Sequence, residues 1–422
     1  MKISKKTLAN GLRVITAPMK DNPTVTVLVL VEAGSKYESA RENGISHFLE
    51  HMCWKGTENR PGPVDISREL DSMGSSYNAF TSHEHTGYYA KADARHFKKI
   101  FSIVSDVYLH PIFPEGEIEK EKRVIIEEMN MYRDIPQRHV EDLFMKLLYG
   151  NSPAGRSILG SKKSVLRLSR GDLARYHLSH YLPESTVLVV AGKVSPVQTL
   201  KEAEKTFGKI FPGRKGDKQK IQEGQGKPAA LLHYRKTDQV HFMLGVRTCG
   251  FFDKKIPALS VLSSVLSGGM SSRLFVKLRE EMGIGYYLRA NQESFTDHGY
   301  FQISAGVDPK RIKEAIRAVL GECRRLCEAE VPNEELAKAK EILISEMKFS
   351  LESTEDVCSF FGEQEILKRE TETVEQKAAK IRKITAADLQ KTAREIFLDR
   401  NLNLVLLGPL RREEEFLKML KF

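Results

Sequence analysis

A chain of 422 residues is too long for one compact core, so two domains or more are expected. With 41% hydrophobic and 29% charged residues it reads as a soluble globular protein, and no apolar run approaches the ~18 residues of a membrane span. The formal net charge of +10 raises a nucleic-acid reading, but bases and acids are interleaved, as in EGEIEKEKRVIIEE, and no basic stripe with aromatics occurs; solvated helix faces explain these charges.

The opening stretch, MKISKKTLANGLRVITAP, has neither the apolar segment and cleavage site of a secretory signal nor the Arg/Ser-rich character of a transit peptide. A cytoplasmic protein is expected. The longest apolar run, Thr24 to Val31, has the length of a strand. Next comes GISHFLEHMCWK, Gly44 to Lys55, where Ile45, Phe48, Leu49 and Met52 share one side of a helix. His47 and His51 then stand one turn apart on one face. Two imidazoles at this spacing can take two corners of a zinc tetrahedron, with Glu50 placed to reach a metal-bound water. The pattern is H-x-x-E-H, the reverse of H-E-x-x-H. It fits equally a helix with two partly buried histidines and no metal.

Asn78 to Ser82 alternates and reads as a strand, either an edge that could accept an extended peptide or a plain buried strand. His83, His85 and His96 complete no metal spacing and read as structural. The helix from Pro114 carries Glu121 and Glu128, seven apart on one face, with Glu127 about 100° away from Glu128. These are candidates for a third metal ligand, or else a solvated acidic face.

Gly213 to Lys227 (GRKGDKQKIQEGQGK) lacks apolar periodicity and reads as a solvated linker. It divides the chain nearly in half, and the halves repeat. GYYAKADARHFKKIFSIV from Gly87 pairs with GYFQISAGVDPKRIKEAI from Gly299. PEGEIEKEKRVIIEEM from Pro114 pairs with PNEELAKAKEILISEM from Pro332. DLARYHLSHYL from Asp172 pairs with DLQKTAREIFL from Asp388, each followed by a buried strand and a glycine. The expected fold is α+β: two homologous repeats, each a mostly antiparallel sheet covered by helices, at residues 1–212 and 229–422, joined by 213–228. The second repeat is an internal control. Opposite His47, Glu50 and His51 it has Leu259, Leu262 and Ser263, so the fold does not require the polar groups and chemistry belongs to the first half.

In the second half, SGGMSS (Ser267 to Ser272) breaks a helix, and LREEMGIGYYL places Arg279 seven residues before Tyr286. Cys323 and Cys327, at i, i+4, read as packing, and five sparse cysteines imply no disulfide framework.

Together these motifs resemble the pitrilysin, insulysin and mitochondrial processing peptidase family of zinc metallopeptidases, in its short-chain prokaryotic branch. HFLEHMCWKGT matches the zinc motif, GSSYNAFTSHEHTGYY the substrate-strand segment and EKEKRVIIEEMNMYRDIP the third-ligand helix. The resemblance implies one Zn²⁺ per chain on His47, His51 and Glu128, with Glu50 as general base and Glu121 as a supporting acid behind the ligands. It implies that Arg279 and Tyr286 bind the scissile carbonyl and that Asn78, Ala79 and Phe80 receive the peptide strand. It further implies an endopeptidase acting on unfolded peptides in a chamber built by a homodimer, with neither nucleic acid nor membrane as partner. The family also contains non-catalytic subunits that have lost part of these motifs; this chain keeps both sets.

Overall fold

The computed structural model describes residues 3–213, 215–222 and 224–422. Its strands are β1 (Ser4–Thr7), β2 (Arg13–Pro18), β3 (Thr24–Val31), β4 (Ser76–Thr81), β5 (Thr86–Asp93), β6 (Thr186–Gly192), β7 (Ala229–Tyr234), β8 (Val240–Thr248), β9 (Tyr287–Ser294), β10 (Gly299–Val307) and β11 (Asn403–Gly408). They form two sheets, ordered β1-β2-β6-β3-β5-β4 and β7-β11-β8-β10-β9. Apart from β1 the two orders are the same, strand for strand. Each sheet has one parallel pair, β2 with β6 and β7 with β11, and is otherwise antiparallel. The α+β duplication expected from the sequence is the observed architecture.

The helices are α1 (Ile45–Cys53), α2 (Asp65–Asp71), α3 (Phe97–Leu109), α4 (Glu115–Asp134), α5 (Pro136–Tyr149), α6 (Lys162–Arg167), α7 (Arg170–His180), α8 (Pro196–Phe207), α9 (Ile256–Ser267), α10 (Ile312–Glu328), α11 (Asn333–Phe349), α12 (Thr354–Lys368), α13 (Val374–Arg382), α14 (Ala386–Ile396) and α15 (Glu413–Leu417). Among the described residues, no helix is long and apolar enough to cross a membrane.

The chain divides into two compact units. One comprises Met1–Asn130, Arg156–Gln219 and Phe349–Glu372; the other Met131–Gly155, Lys220–Lys348 and Thr373–Phe422. The repeats therefore exchange a helix, which the boundaries at 212 and 229 did not anticipate. In the first unit one face of the sheet packs on α1, α3 and neighbouring helices through Val27, Val29, Val31 and Leu188. The other face, with Ile15, Leu28, Leu30 and Val189, packs on Val357, Cys358 and Phe361 of α12. Gly362 permits this approach, since a Cβ there would meet Leu30 Cδ1 at 2.5 Å. In the second unit Leu244, Ile303 and Leu404 face α9, α10 and α14, while Met243, Val405 and Leu407 face Val140, Phe144 and Leu148 of α5. Central strands buried on both faces read as continuous apolar runs, which is why TVTVLVLV and TVLVVAG lack alternation.

The described residues of the segment after Gly213 are exposed or half-buried and form no helix or strand, with a few side chains anchored. Lys215 Nζ lies 3.3 Å from a Glu32 carboxylate oxygen and 3.5 Å from the Tyr37 ring centroid, and Lys218 pairs with the buried Glu84. Within the second unit Ile221 packs against the α5 cluster and Gln225 Oε1 accepts from Asn403 Nδ2. Its anchors include basic side chains set against buried or half-buried carboxylates.

Candidate metal centre

Ile45, Phe48, Leu49 and Met52 of α1 are fully buried, as their spacing predicts. That leaves the other side of the helix for His47 and His51, whose ring centroids are 4.6 Å apart. On α4 the buried side chains include Ile118, Ile125 and Met129. Glu121 and Glu128 fall on the same stripe, so the pair is not a solvated acidic face. Glu121 is 4% exposed and Glu128 half-buried, whereas Glu127 is exposed, with Asn130 Nδ2 at 3.5 Å from its Oε2.

His47 Nε2 and His51 Nε2 each lie 3.5 Å from Glu128 Oε2, and His47, His51 and Glu128 are the residues able to hold a metal ion together among those described. Glu128 Oε2 is buried without a hydrogen-bond partner. Two imidazole nitrogens and one carboxylate oxygen converging on an unsatisfied point suit zinc with an open fourth position. His51 Nδ1 donates to Glu121 Oε2 at 2.9 Å, which turns the Nε2 lone pair toward Glu128. Lys55 Nζ holds the other Glu121 oxygen at 2.8 Å.

Protonation follows this geometry. Burial, and then the neighbouring His51, lower the His47 pKa to about 4. Burial also opposes charge on His51, but contact with Glu121 and Glu128 outweighs it and raises the pKa to about 9. Burial would raise both carboxyls, yet His51 with Lys55 holds Glu121, and His51 with His47 holds Glu128, below the ordinary range. Glu50 differs. Burial raises its pKa, and the Thr81 hydrogen bond and His51 only partly offset that. Thr81 Oγ1 donates to Glu50 Oε2 at 2.6 Å, fixing a carboxylate that belongs to no ligand group. The sequence reading placed a strand at Asn78 to Ser82 but missed this contact; alternation puts Thr81 on the same face as Ala79, a signal that was available.

Asn78, Ala79 and Phe80 lie on β4, which ends its sheet and pairs only with β5, opposite Tyr89, Tyr88 and Gly87. Arg279 and Tyr286 lie in the second unit. Arg279 is on a π-helical turn, Phe275–Glu281. Its Nη1 donates to the Tyr286 carbonyl at 3.4 Å, and the Tyr286 side chain is 65% exposed. His83 and His85 are engaged locally by Ser35 and Ser82, as structural residues are.

Residues 13–162 match the family model described as Insulinase (Peptidase family M16), and residues 167–343 match Peptidase M16 inactive domain. The chain is 32% identical to the uncharacterized zinc protease YmxG of Bacillus subtilis, over 96% of its own length and 98% of the relative's. It is 32% identical to the uncharacterized zinc protease Rv2782c of Mycobacterium tuberculosis, over 96% and 93%. Its fold matches a protease from Helicobacter pylori with a TM-score of 0.89 at 24% identity, over 97% of this chain and all of the other. It matches a peptidase M16 inactive domain from Pseudomonas fluorescens with the same score at 17% identity, over 98% of this chain and all of the other. By sequence over nearly its full length, this chain belongs to the M16, or insulinase, family of peptidases.

Proposed function

We propose that this chain is a zinc metalloendopeptidase that cuts unfolded peptides. The observation that carries the reading is the meeting of His47 Nε2, His51 Nε2 and Glu128 Oε2 beside a carboxylate, Glu50, that is left out of the group. The relatives' names as zinc proteases support it. Zinc held by these three residues, one ion per chain, would supply Lewis acidity and bring the pKa of a bound water toward ~7. Glu50 takes the proton of the attacking water and returns it to the leaving amine. Its Oε2 is engaged by Thr81, so Oε1 is assigned the proton. Glu121 fixes the His51 tautomer. Arg279 and Tyr286 are assigned to the substrate carbonyl oxygen, where a guanidinium and a phenol can hold an oxyanion; their closeness to each other supports treating them as one group. The free edge of β4 supports addition of an extended peptide as a strand along Asn78, Ala79 and Phe80. The proposed assembly is a cytoplasmic homodimer enclosing the peptide.

Glu50→Gln tests the reading. The variant keeps its zinc and its fold while cleavage of an unfolded casein falls by about 10²–10⁴-fold. Near wild-type turnover overturns the assignment of the base. Light scattering on the purified chain gives a dimeric mass if the assembly proposal holds, and a fully active monomer removes it.

A further inference from the structure

The N-terminus of α1 is capped in an unusual way. Its N-cap, Gly44, adopts the left-handed conformation at φ 97° and has no side chain to accept from the first turn. The acceptor comes from upstream. Glu38 Oε2 accepts from the Gly44 N–H at 2.7 Å and from Asn43 Nδ2 at 2.9 Å, and Oε1 accepts from the Ser46 N–H at 2.9 Å. Glu38 is 3% exposed. Its own carbonyl accepts from Arg156 Nη2 at 2.7 Å, and Asn43 Nδ2 also donates to the Ser157 carbonyl at 3.0 Å. The backbone closes the arrangement, because a Cβ on Gly44 would meet the Leu159 carbonyl oxygen at 2.7 Å and one on Gly160 the Asn43 carbonyl oxygen at 2.4 Å.

The two histidines depend on this cap unequally. His51 is oriented through its side chain by Glu121. His47 Nδ1 is buried with no hydrogen-bond partner among the described residues. Apart from the Glu128 carboxylate oxygen 3.5 Å away, the place of its Nε2 is set by packing and by the backbone of the first turn of α1, and Ser46, the preceding residue, is tied to Glu38. A carboxylate at a helix N-terminus also complements the exposed amide dipoles there.

We propose that Glu38 is a positioning residue that sets His47 for metal through the backbone of α1. The proposal rests on the reading of His47, His51 and Glu128 as a metal centre. Glu38→Gln keeps the size of the side chain but turns an amide NH₂ toward a backbone N–H, and Asn43→Ala removes one donor while leaving the charge.

The test measures zinc affinity by chelator competition, and the visible spectrum of the Co²⁺-substituted protein, at a temperature where circular dichroism shows each variant folded. The expected result is a zinc dissociation constant raised about 10–100-fold in Glu38→Gln, a smaller rise in Asn43→Ala, and an altered Co²⁺ spectrum in both. A purely structural cap would lower the unfolding temperature and leave both readouts unmoved in the folded protein; that outcome overturns the proposal. If Glu38→Gln does not fold, an unchanged affinity and spectrum in Asn43→Ala overturns it equally. A wild-type chain that binds no zinc overturns the metal reading itself, and the assignment with it.

Discussion

The helices α1 and α9 hold the same place in two sheets of the same strand order, and they treat polar groups in opposite ways. In α9, Leu259 and Leu262 are fully buried. The serines there bond inward: Ser260 Oγ donates to the Ile256 carbonyl, Ser263 to Ser260 and Ser264 to Ala339. In α1 the corresponding positions carry His47, Glu50 and His51, and the cluster leaves His47 Nδ1 and Glu128 Oε2 unpaired. The neighbouring helices repeat the contrast. Glu121 matches the buried Ala339, and Glu128 matches Glu346, which is exposed. At these positions the second unit is satisfied by apolar and self-bonded residues, whereas α1 and α4 hold buried polar atoms without a hydrogen-bond partner, His47 Nδ1 and Glu128 Oε2. That costs stability, and such departures concentrate where a protein does its chemistry.

Making each unit resemble the other tests the comparison. The largest effect is expected from His47→Leu, the residue type of α9 placed in α1. Zinc affinity falls more than about 100-fold and peptide cleavage disappears. With metal removed from both proteins the fold stays within about 1 kcal/mol of wild type, because a buried ring nitrogen without a hydrogen-bond partner is exchanged for a hydrocarbon. Metal analysis, and thermal unfolding of the metal-free proteins, read the two halves of this outcome, and a large loss of stability in the metal-free pair would mean that the imidazole is structural.

The reverse exchange, Leu262→Glu, buries a carboxylate with no partner in α9. It is expected to cost about 3–5 kcal/mol and to lower the unfolding temperature accordingly. A silent substitution would show that α9 tolerates the groups of α1 and would remove the force of the control.

The exchanged helices offer a finer contrast. On its sheet α5 is held by the apolar Val140, Phe144 and Leu148, with the Tyr149 hydroxyl donating to the Gly299 carbonyl at 2.8 Å. The ties of α12 include a buried ion pair: Thr354 Oγ1 lies 2.7 Å from Thr26 Oγ1, and Arg13 Nη1 donates to the Glu365 carbonyl at 2.8 Å and to its carboxylate at 3.4 Å. Glu365→Ala strands a buried guanidinium and is expected to cost about 3 kcal/mol. Replacing Arg13 and Glu365 together by Met and Leu should recover most of that loss in denaturant titrations.

The smallest effect concerns Asp106 of α3, which gathers the loop after α1. Its carboxylate accepts from Thr57 Oγ1, Asn59 Nδ2 and Arg60 Nη1 at 2.5, 2.7 and 2.7 Å. Burial would raise its pKa, but these donors with His110 outweigh burial and hold it below the ordinary 3.8. A depressed folded-state pKa gives stability that is present above the unfolded value and is lost as pH falls through the folded one. Asp106→Asn should therefore cost about 1–2 kcal/mol near neutral pH. The difference should shrink as pH falls below the ordinary carboxylate value and through the lower folded-state one, as stability measured across the acid limb will show.

Much of this was legible in the sequence. The period of Ile45, Phe48, Leu49 and Met52 located α1, the shared segments located the duplication, and the i, i+4 histidines with Glu50 located the centre. What stayed hidden depends on distant partners. An apolar helix face states that α12 must be covered, not that a strand it lies on passes through Thr26, some 330 residues earlier. The cap on α1 was hidden for a related reason: a glycine before the helix shows that an acceptor is missing, but nothing in the spacing points to Glu38 as its replacement. The anchors of the linker were hidden too, because composition counts charges without their partners, here Glu32 and Glu84.

The exchange of α5 and α12 also has a consequence for how the chain is made. When β6 leaves the ribosome, every strand of the first sheet has been synthesised, yet the face lined by Ile15, Leu28, Leu30 and Val189 waits for α12. At about 5–20 residues per second the wait is roughly 10–35 s, and α5 waits longer still for β11, the last strand of its sheet to be made. The nascent chain therefore presents an uncovered apolar surface for a long interval of its synthesis, and the first half, released alone, would keep it.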